Sequence, residues 1–234
     1  MIKIRKSNDR GHIDHGWLDT YHTFSFGDYY DPDHMGFSVL RVINDDRIAP
    51  KRGFARHPHK DMEIITYVFE GALEHKDSMG NGSVIKAGDI QYMSAGSGVT
   101  HSEASVSETE YTHLYQIWIL PDQKSQPPRY DQKNFTIEDK LGKLKLMVSK
   151  DGEQNTIAIR QDVKIFSSLL RAEEKLDFEI ANKRSVWLQL NSGQLKLNSQ
   201  YIIEAGDGVA VTDETKLQIQ CVKHSEFLLF DLPK

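Results

Sequence analysis

The chain has 234 residues, with 29 lysines and arginines against 34 aspartates and glutamates, so its formal charge is −5. Apolar residues make up 38% and there are 16 glycines, which is the composition of a soluble globular protein and not of a disordered, collagen-like or coiled-coil chain. A mean hydropathy of −0.53 argues against a membrane span, the single cysteine, Cys221, excludes disulfide frameworks and thiolate zinc sites, and the acidic balance argues against a nucleic-acid surface.

The first ten residues carry charges where a signal peptide needs an apolar stretch, so a cytoplasmic protein is expected. Helical patterning is scarce from there on. Tyr21-His-Thr-Phe-Ser-Phe26 reads as an aromatic strand packed into a core. Residues 37–43, 63–69 and 115–120 are short runs rich in Val, Ile, Tyr and Phe, as strands are. Asp77-Ser-Met-Gly-Asn-Gly-Ser83 is a hairpin turn on composition, because Gly and Asn tolerate positive φ, and His75 just before it is expected to be exposed. The polar, proline-rich residues 121–128 read as a linker. Short helices are expected near 134–141 and 167–173, and further strands at 185–190 and 226–231.

A weak repeat supports two similar halves. Val84-Ile-Lys-Ala-Gly-Asp89 resembles Ile202-Ile-Glu-Ala-Gly-Asp207, each with two apolar residues, a charge and then Ala-Gly-Asp before another strand. The expected organisation is all-β, with two tandem barrels covering residues 1–125 and 126–234.

The chemistry concentrates in two clusters. In an extended strand, His57, His59, Asp61 and Glu63 would share one face. A row of imidazoles and carboxylates facing a barrel interior is costly unless a cation holds it together, and these are the ligand types of first-row transition metals. Gly96-Ser-Gly-Val-Thr-His101-Ser-Glu103 supplies a second pair two residues apart. If the two pairs face each other across a small barrel, three histidines and one carboxylate surround an ion with open positions left. Spacing alone does not choose between Glu63 and Glu103. The remaining histidines show no such pairing and read as surface or structural.

These residues carry a family resemblance. Gly53, His57-Pro-His59-x-x-x-Glu63 and Gly71 resemble the first motif of the cupin barrels. Gly88-Asp89, Gly96 and His101 resemble the second, with Ser94 where proline is usual. Together with Tyr21-His-Thr-Phe-Ser-Phe26, Leu40-Arg-Val-Ile-Asn-Asp-Asp46 and Ala95-Gly-Ser-Gly-Val-Thr-His-Ser-Glu103, they are similar to the pirin family over residues 17–120. The resemblance implies a bicupin, two double-stranded β-helix barrels, of which only the N-terminal one holds metal. It places the ligands on His57, His59, His101 and Glu103, and leaves Glu63 as a group that lines the pocket or orients a histidine. One divalent transition ion is implied, iron first, with nickel, copper, cobalt, manganese and zinc also suited to the donors.

The same resemblance implies a quercetin 2,3-dioxygenase, which opens the central ring of a flavonol with O2. Glu103, or Glu63 if it is not a ligand, would act as general base. Phe24, Phe37, Phe54 or Met93 would line the mouth. A monomer is expected, with no direct nucleic-acid or membrane partner. The alternative is a metal-binding, redox-sensing regulatory module without turnover, as eukaryotic pirins imply. A metal-stabilised barrel that has lost activity is a third reading.

Overall fold

Two β units share the chain, and residue 125 does not divide them. In this computed structural model, which describes residues 1–234, one unit comprises residues 11–134 with 159–161, and the other residues 1–10, 135–158 and 162–234. Pairing explains both departures from the expected boundary. The strand Arg129–Asn134 follows the proline-rich segment but pairs with Asp89–Ser94, so the first unit continues to residue 134. Ile2–Arg5 pairs with Gly208–Val211, which assigns the N-terminus to the second unit.

The first unit is built from two sheets. A seven-stranded sheet runs in the order Arg129–Asn134, Asp89–Ser94, Glu63–Glu70, Thr112–Ile119, Leu40–Ile48, Leu18–His22 and Gly11–Asp14. A four-stranded sheet runs Gly53–His59, Val99–Ser105, Ala72–Asp77 and Gly82–Lys86. The strand expected at 37–43 starts at Leu40, because Ser38 takes a φ of 54° in a tight turn between Phe37 and Leu40.

The second unit is one nine-stranded sheet. Its two longest strands, Arg184–Leu197 and Lys216–Pro233, carry register shifts against each other around Ser192 and Gln194, and such irregularities bend a strand. Of the two expected helices, only Ile137–Lys140 forms, started by a reciprocal cap between Thr136 and Asp139. Residues 167–173 are not helical. Lys164–Leu170 is a strand paired along its length with Lys216–Pro233, and that pairing overrides local preference.

The Ala-Gly-Asp repeat is the same turn in both units. Gly88 and Gly206 have φ of +85° and +84°, where L-residues are strained. Asp89 Oδ2 accepts the Lys86 amide at 2.8 Å, and Asp207 Oδ2 accepts the Glu204 amide at 3.0 Å. With the repeats aligned, cross-strand rows correspond. In the first unit Gln91, Thr66, Gln116 and Asn44 lie side by side in register on four successive strands. In the second, the corresponding row is Val209, Leu188, Leu229 and Phe166. A buried amide or hydroxyl costs free energy unless it is hydrogen-bonded. The first unit therefore needs polar partners in its interior, whereas Leu188 and Leu229 join a continuous apolar core with Leu190, Leu195 and Phe227.

Candidate metal centre

The partners of that polar row come from the four-stranded sheet. His57 and His59 lie on Gly53–His59, and His101 and Glu103 on Val99–Ser105. The two strands do not oppose each other across the barrel, as their sequence separation suggested. They are antiparallel neighbours, with His101 directly opposite His57 and Val99 opposite His59. The alternation of a strand then aims all three imidazoles to one side. One ring nitrogen from each of His57, His59 and His101 lies within 4.8 Å of the others.

Hydrogen bonds set which nitrogens are bare. His57 Nδ1 lies 2.8 Å from the Ala55 carbonyl, so it donates, and the neutral ring keeps a lone pair on Nε2. His75 Nε2 faces the Asp77 carboxylate at 3.3 Å, which makes it a donor and leaves Nδ1 as acceptor. The Gln91 amide, at 3.2 Å, and His101 Nδ1, at 3.4 Å, both approach that acceptor. His101 thus donates from Nδ1, and its bare Nε2 meets His57 Nε2 at 3.0 Å. Two lone pairs held face to face repel unless a cation sits between them, so the donor set fits a metal ion. Burial first, then the neighbouring His101 and His57, lower the His59 pKa to about 4. Burial likewise lowers His101 to about 4 against the opposing pull of Glu103. Both rings are neutral at pH 7 and ready to coordinate.

Glu103 is buried, and it forms a second group with His75 and His101 that also spans 4.8 Å. Its Oε2 accepts from Gln116 Nε2 at 3.0 Å, and Oε1 faces Thr66 Oγ1 at 3.5 Å. Burial works to raise its pKa, but His75, 3.9 Å away, together with His101 and His57, holds it below the ordinary carboxylate value.

Glu63 does not reach this cluster. The chain leaves the extended conformation between His59 and Glu63, where Asp61 has a φ of 50°, and Glu63 starts a strand of the other sheet. The alternation that would have put it beside His59 is lost there. Its carboxylate accepts instead from the Tyr92 hydroxyl, from Ser94 Oγ at 2.7 Å and from the Arg160 amide at 3.2 Å. Glu63, expected as base or as orienting group, is thus buried apart from the histidines and outside the lining of their cavity.

A cavity of about 300 Å³ opens over the histidines, lined by His57, His59, His101, Glu103, Gln116, Asn44, Asp46 and the rings of Phe26, Phe54 and Trp118. Trp118 packs edge-on against both His59 and Phe26, with centroids 5.0 and 5.2 Å apart. Of the four aromatic or thioether residues expected at the mouth, only Phe54 lines the cavity. Phe24 and Met93 are buried in the core. His75, expected to be exposed, has no accessible surface, because its strand lies between Val99–Ser105 and Gly82–Lys86. Sequence reasoning also passed over Asn44, Asp46, Thr66, Gln91 and Gln116. For Thr66, Gln91 and Gln116 the signal is one polar residue at an inward position of an otherwise apolar stretch, as in Ile64-Ile-Thr66-Tyr-Val68 or Tyr115-Gln116-Ile117, whereas Asn44 and Asp46 lie in the polar run Asn44-Asp-Asp-Arg47.

Residues 3–119 match the family described as pirin, and residues 146–232 match the quercetinase C-terminal cupin domain. The chain is 48% identical over 233 residues to a protein named quercetin 2,3-dioxygenase from Escherichia coli, covering 100% of this chain and 99% of the other. It is 41% identical to a pirin-like protein from Caulobacter vibrioides, over 99% of each chain. The crystal structure of the bacterial pirin YhhW from E. coli in complex with nickel(II) superposes with a TM-score of 0.95 at 48% identity, covering 100% and 99% of the two chains.

Proposed function

The chain belongs to the pirin family, with an N-terminal pirin barrel and a C-terminal cupin barrel, and from that premise we propose that it is a metal-dependent dioxygenase that opens flavonols such as quercetin with O2. The observation that carries this reading is the set of bare imidazole nitrogens converging on the floor of an aromatic-walled cavity. His57, His59, His101 and Glu103 are the residues that would hold a divalent ion, and three imidazoles with one carboxylate suit iron, nickel, copper, cobalt and manganese alike. When bound, such an ion supplies Lewis acidity that lowers the pKa of a flavonol hydroxyl.

The rest is the work of the chain. Phe26, Phe54 and Trp118 offer flat apolar faces to a planar substrate and exclude water from it. Gln116 and Thr66 hold the Glu103 carboxylate in place, and the Asp77–His75 pair keeps the His101 proton on Nδ1, away from the cavity.

The test is to load the metal-free protein separately with iron, nickel, copper, cobalt and manganese and follow quercetin absorbance in air. Turnover with at least one ion supports the reading. Full loading without turnover for every ion removes it and favours a regulatory metal module.

A further inference from the structure

The cavity over the histidines has a neighbour, and the two adjoin along four shared side chains. A second cavity of about 240 Å³, lined by His15, Trp17, His22 and Asp28, shares Phe26, Asn44, Asp46 and Phe54 with the first. Asp46 therefore stands at the junction of two lobes, as the one carboxylate that lines both. It is 3% exposed. Its Oδ1 accepts from Thr20 Oγ1 at 2.5 Å, and that is the only side-chain hydrogen bond it makes, which leaves Oδ2 available to a ligand. The neighbouring Asn44 is tied to His22 Nδ1 at 2.7 Å. Glu103 is less suited to accept a proton, since both of its oxygens are engaged, and Glu63 lies outside the cavity.

We propose that Asp46 is the proton acceptor of the reaction, taking the hydroxyl proton of a planar aromatic substrate that spans both lobes. This rests on the substrate reading given above. The substrate O–H bond breaks, the proton forms a new bond to Asp46 Oδ2, and the electron pair stays on the substrate oxygen. The carboxylic acid so formed then donates a hydrogen bond to that oxygen. The environment suits the role. Burial first, then the charges of Asp45 and Glu103, raise the Asp46 pKa to about 7 against the lowering effect of Thr20. A base is most effective when its pKa lies near the working pH.

The nickel(II)-loaded protein is titrated with quercetin without oxygen between pH 5.5 and 8, in wild type and in Asp46→Asn, with metal content measured alongside. The wild type is expected to show the red-shifted absorbance of the flavonolate growing in as pH rises through 7 to the upper end of this range, where Asp46 is ionised. Asp46→Asn, with its nickel retained, is expected to bind quercetin as the neutral flavonol there and to lose about 100-fold in turnover in air. Asp46→Ser, which keeps a partner for Thr20, should show the same spectral loss if the asparagine variant fails to fold. A flavonolate band of equal intensity and pH dependence in either variant overturns the role of Asp46 and leaves the substrate reading standing. No quercetin binding by the wild type overturns both.

Discussion

Gln116 Nε2 donates to Glu103 Oε2 at 3.0 Å, a bond that joins the seven-stranded sheet to the four-stranded one at the carboxylate beside the histidines. Both residues are buried and line the cavity over the histidines. Gln116→Leu keeps the volume and removes the donor, leaving one Glu103 oxygen unpaired. Groups that orient metal ligands are worth about 10–100-fold in affinity. Competition with a chromophoric chelator should show a loss of that size with the β spectrum unchanged. Undiminished affinity would mean that Gln116 does not position Glu103.

His101 occupies the centre of the cluster, with His57 on its Nε2 side and His75 on its Nδ1 side. His101→Ala removes one ligand and also the link between the cavity and the buried His75–Asp77 pair. Metal content after dialysis is expected to fall to background and turnover with it. A variant that retains one ion per chain would refute His101 as a ligand.

The lowered pKa values set the response of the metal-free protein to acid. His59 and His101 titrate near pH 4 when folded and near 6.5 when unfolded. As pH falls below about 6.5 the unfolded chain binds protons first, so stability is lost down to about pH 4, on the order of 1 kcal/mol per pH unit for each ring. Asp46 acts with the opposite sign. Its folded pKa of about 7 lies above the ordinary 3.8, so its contribution is full at low pH and is lost as pH rises through 7. Urea midpoints should therefore fall between pH 6.5 and 5, and fall more steeply in Asp46→Asn. A flat profile in that variant would contradict the neutral state of the two histidines.

The sequence made the strands and the histidine pairs legible because both obey short-range rules: period two for strands, and donors two residues apart for a shared face. What it could not supply was register. Whether His57 and His101 face each other or lie side by side depends on pairing between residues 44 apart. One left-handed residue, Asp61, moved Glu63 to another sheet. His75 looked exposed beside its turn because the other edge of its hairpin strand is covered by Val99–Ser105, which is distant in sequence. The polar row from Asn44 to Gln91 was hidden because its four members lie on four strands and come side by side only when the strands align.

Glu63 should separate from the metal site on substitution. Glu63→Gln replaces an acceptor with an amide facing the hydroxyls of Tyr92 and Ser94 or the Arg160 amide. Leaving buried polar groups mismatched costs about 1–3 kcal/mol. A lower melting temperature with unchanged metal stoichiometry is expected. Loss of metal with stability intact would return Glu63 to the ligand set.

Gly53 controls the centre without contributing to it. It lies opposite Ala104 in the ladder that aligns His57 with His101, and a Cβ there would stand 2.1 Å from the Glu103 carbonyl oxygen and 2.4 Å from Ala104 Cα. Both are backbone atoms of a central strand, so the clash cannot be relieved by rotating a side chain. Relief must come from moving Gly53–His59 outward, and that strand carries two of the three histidines. Gly53→Ala should cost about 1–3 kcal/mol in stability and weaken metal binding, although every donor is retained. Calorimetry with and without nickel(II) measures both effects. If the variant takes up nickel as tightly as the wild type, the spacing of these two strands does not set the geometry of the histidines.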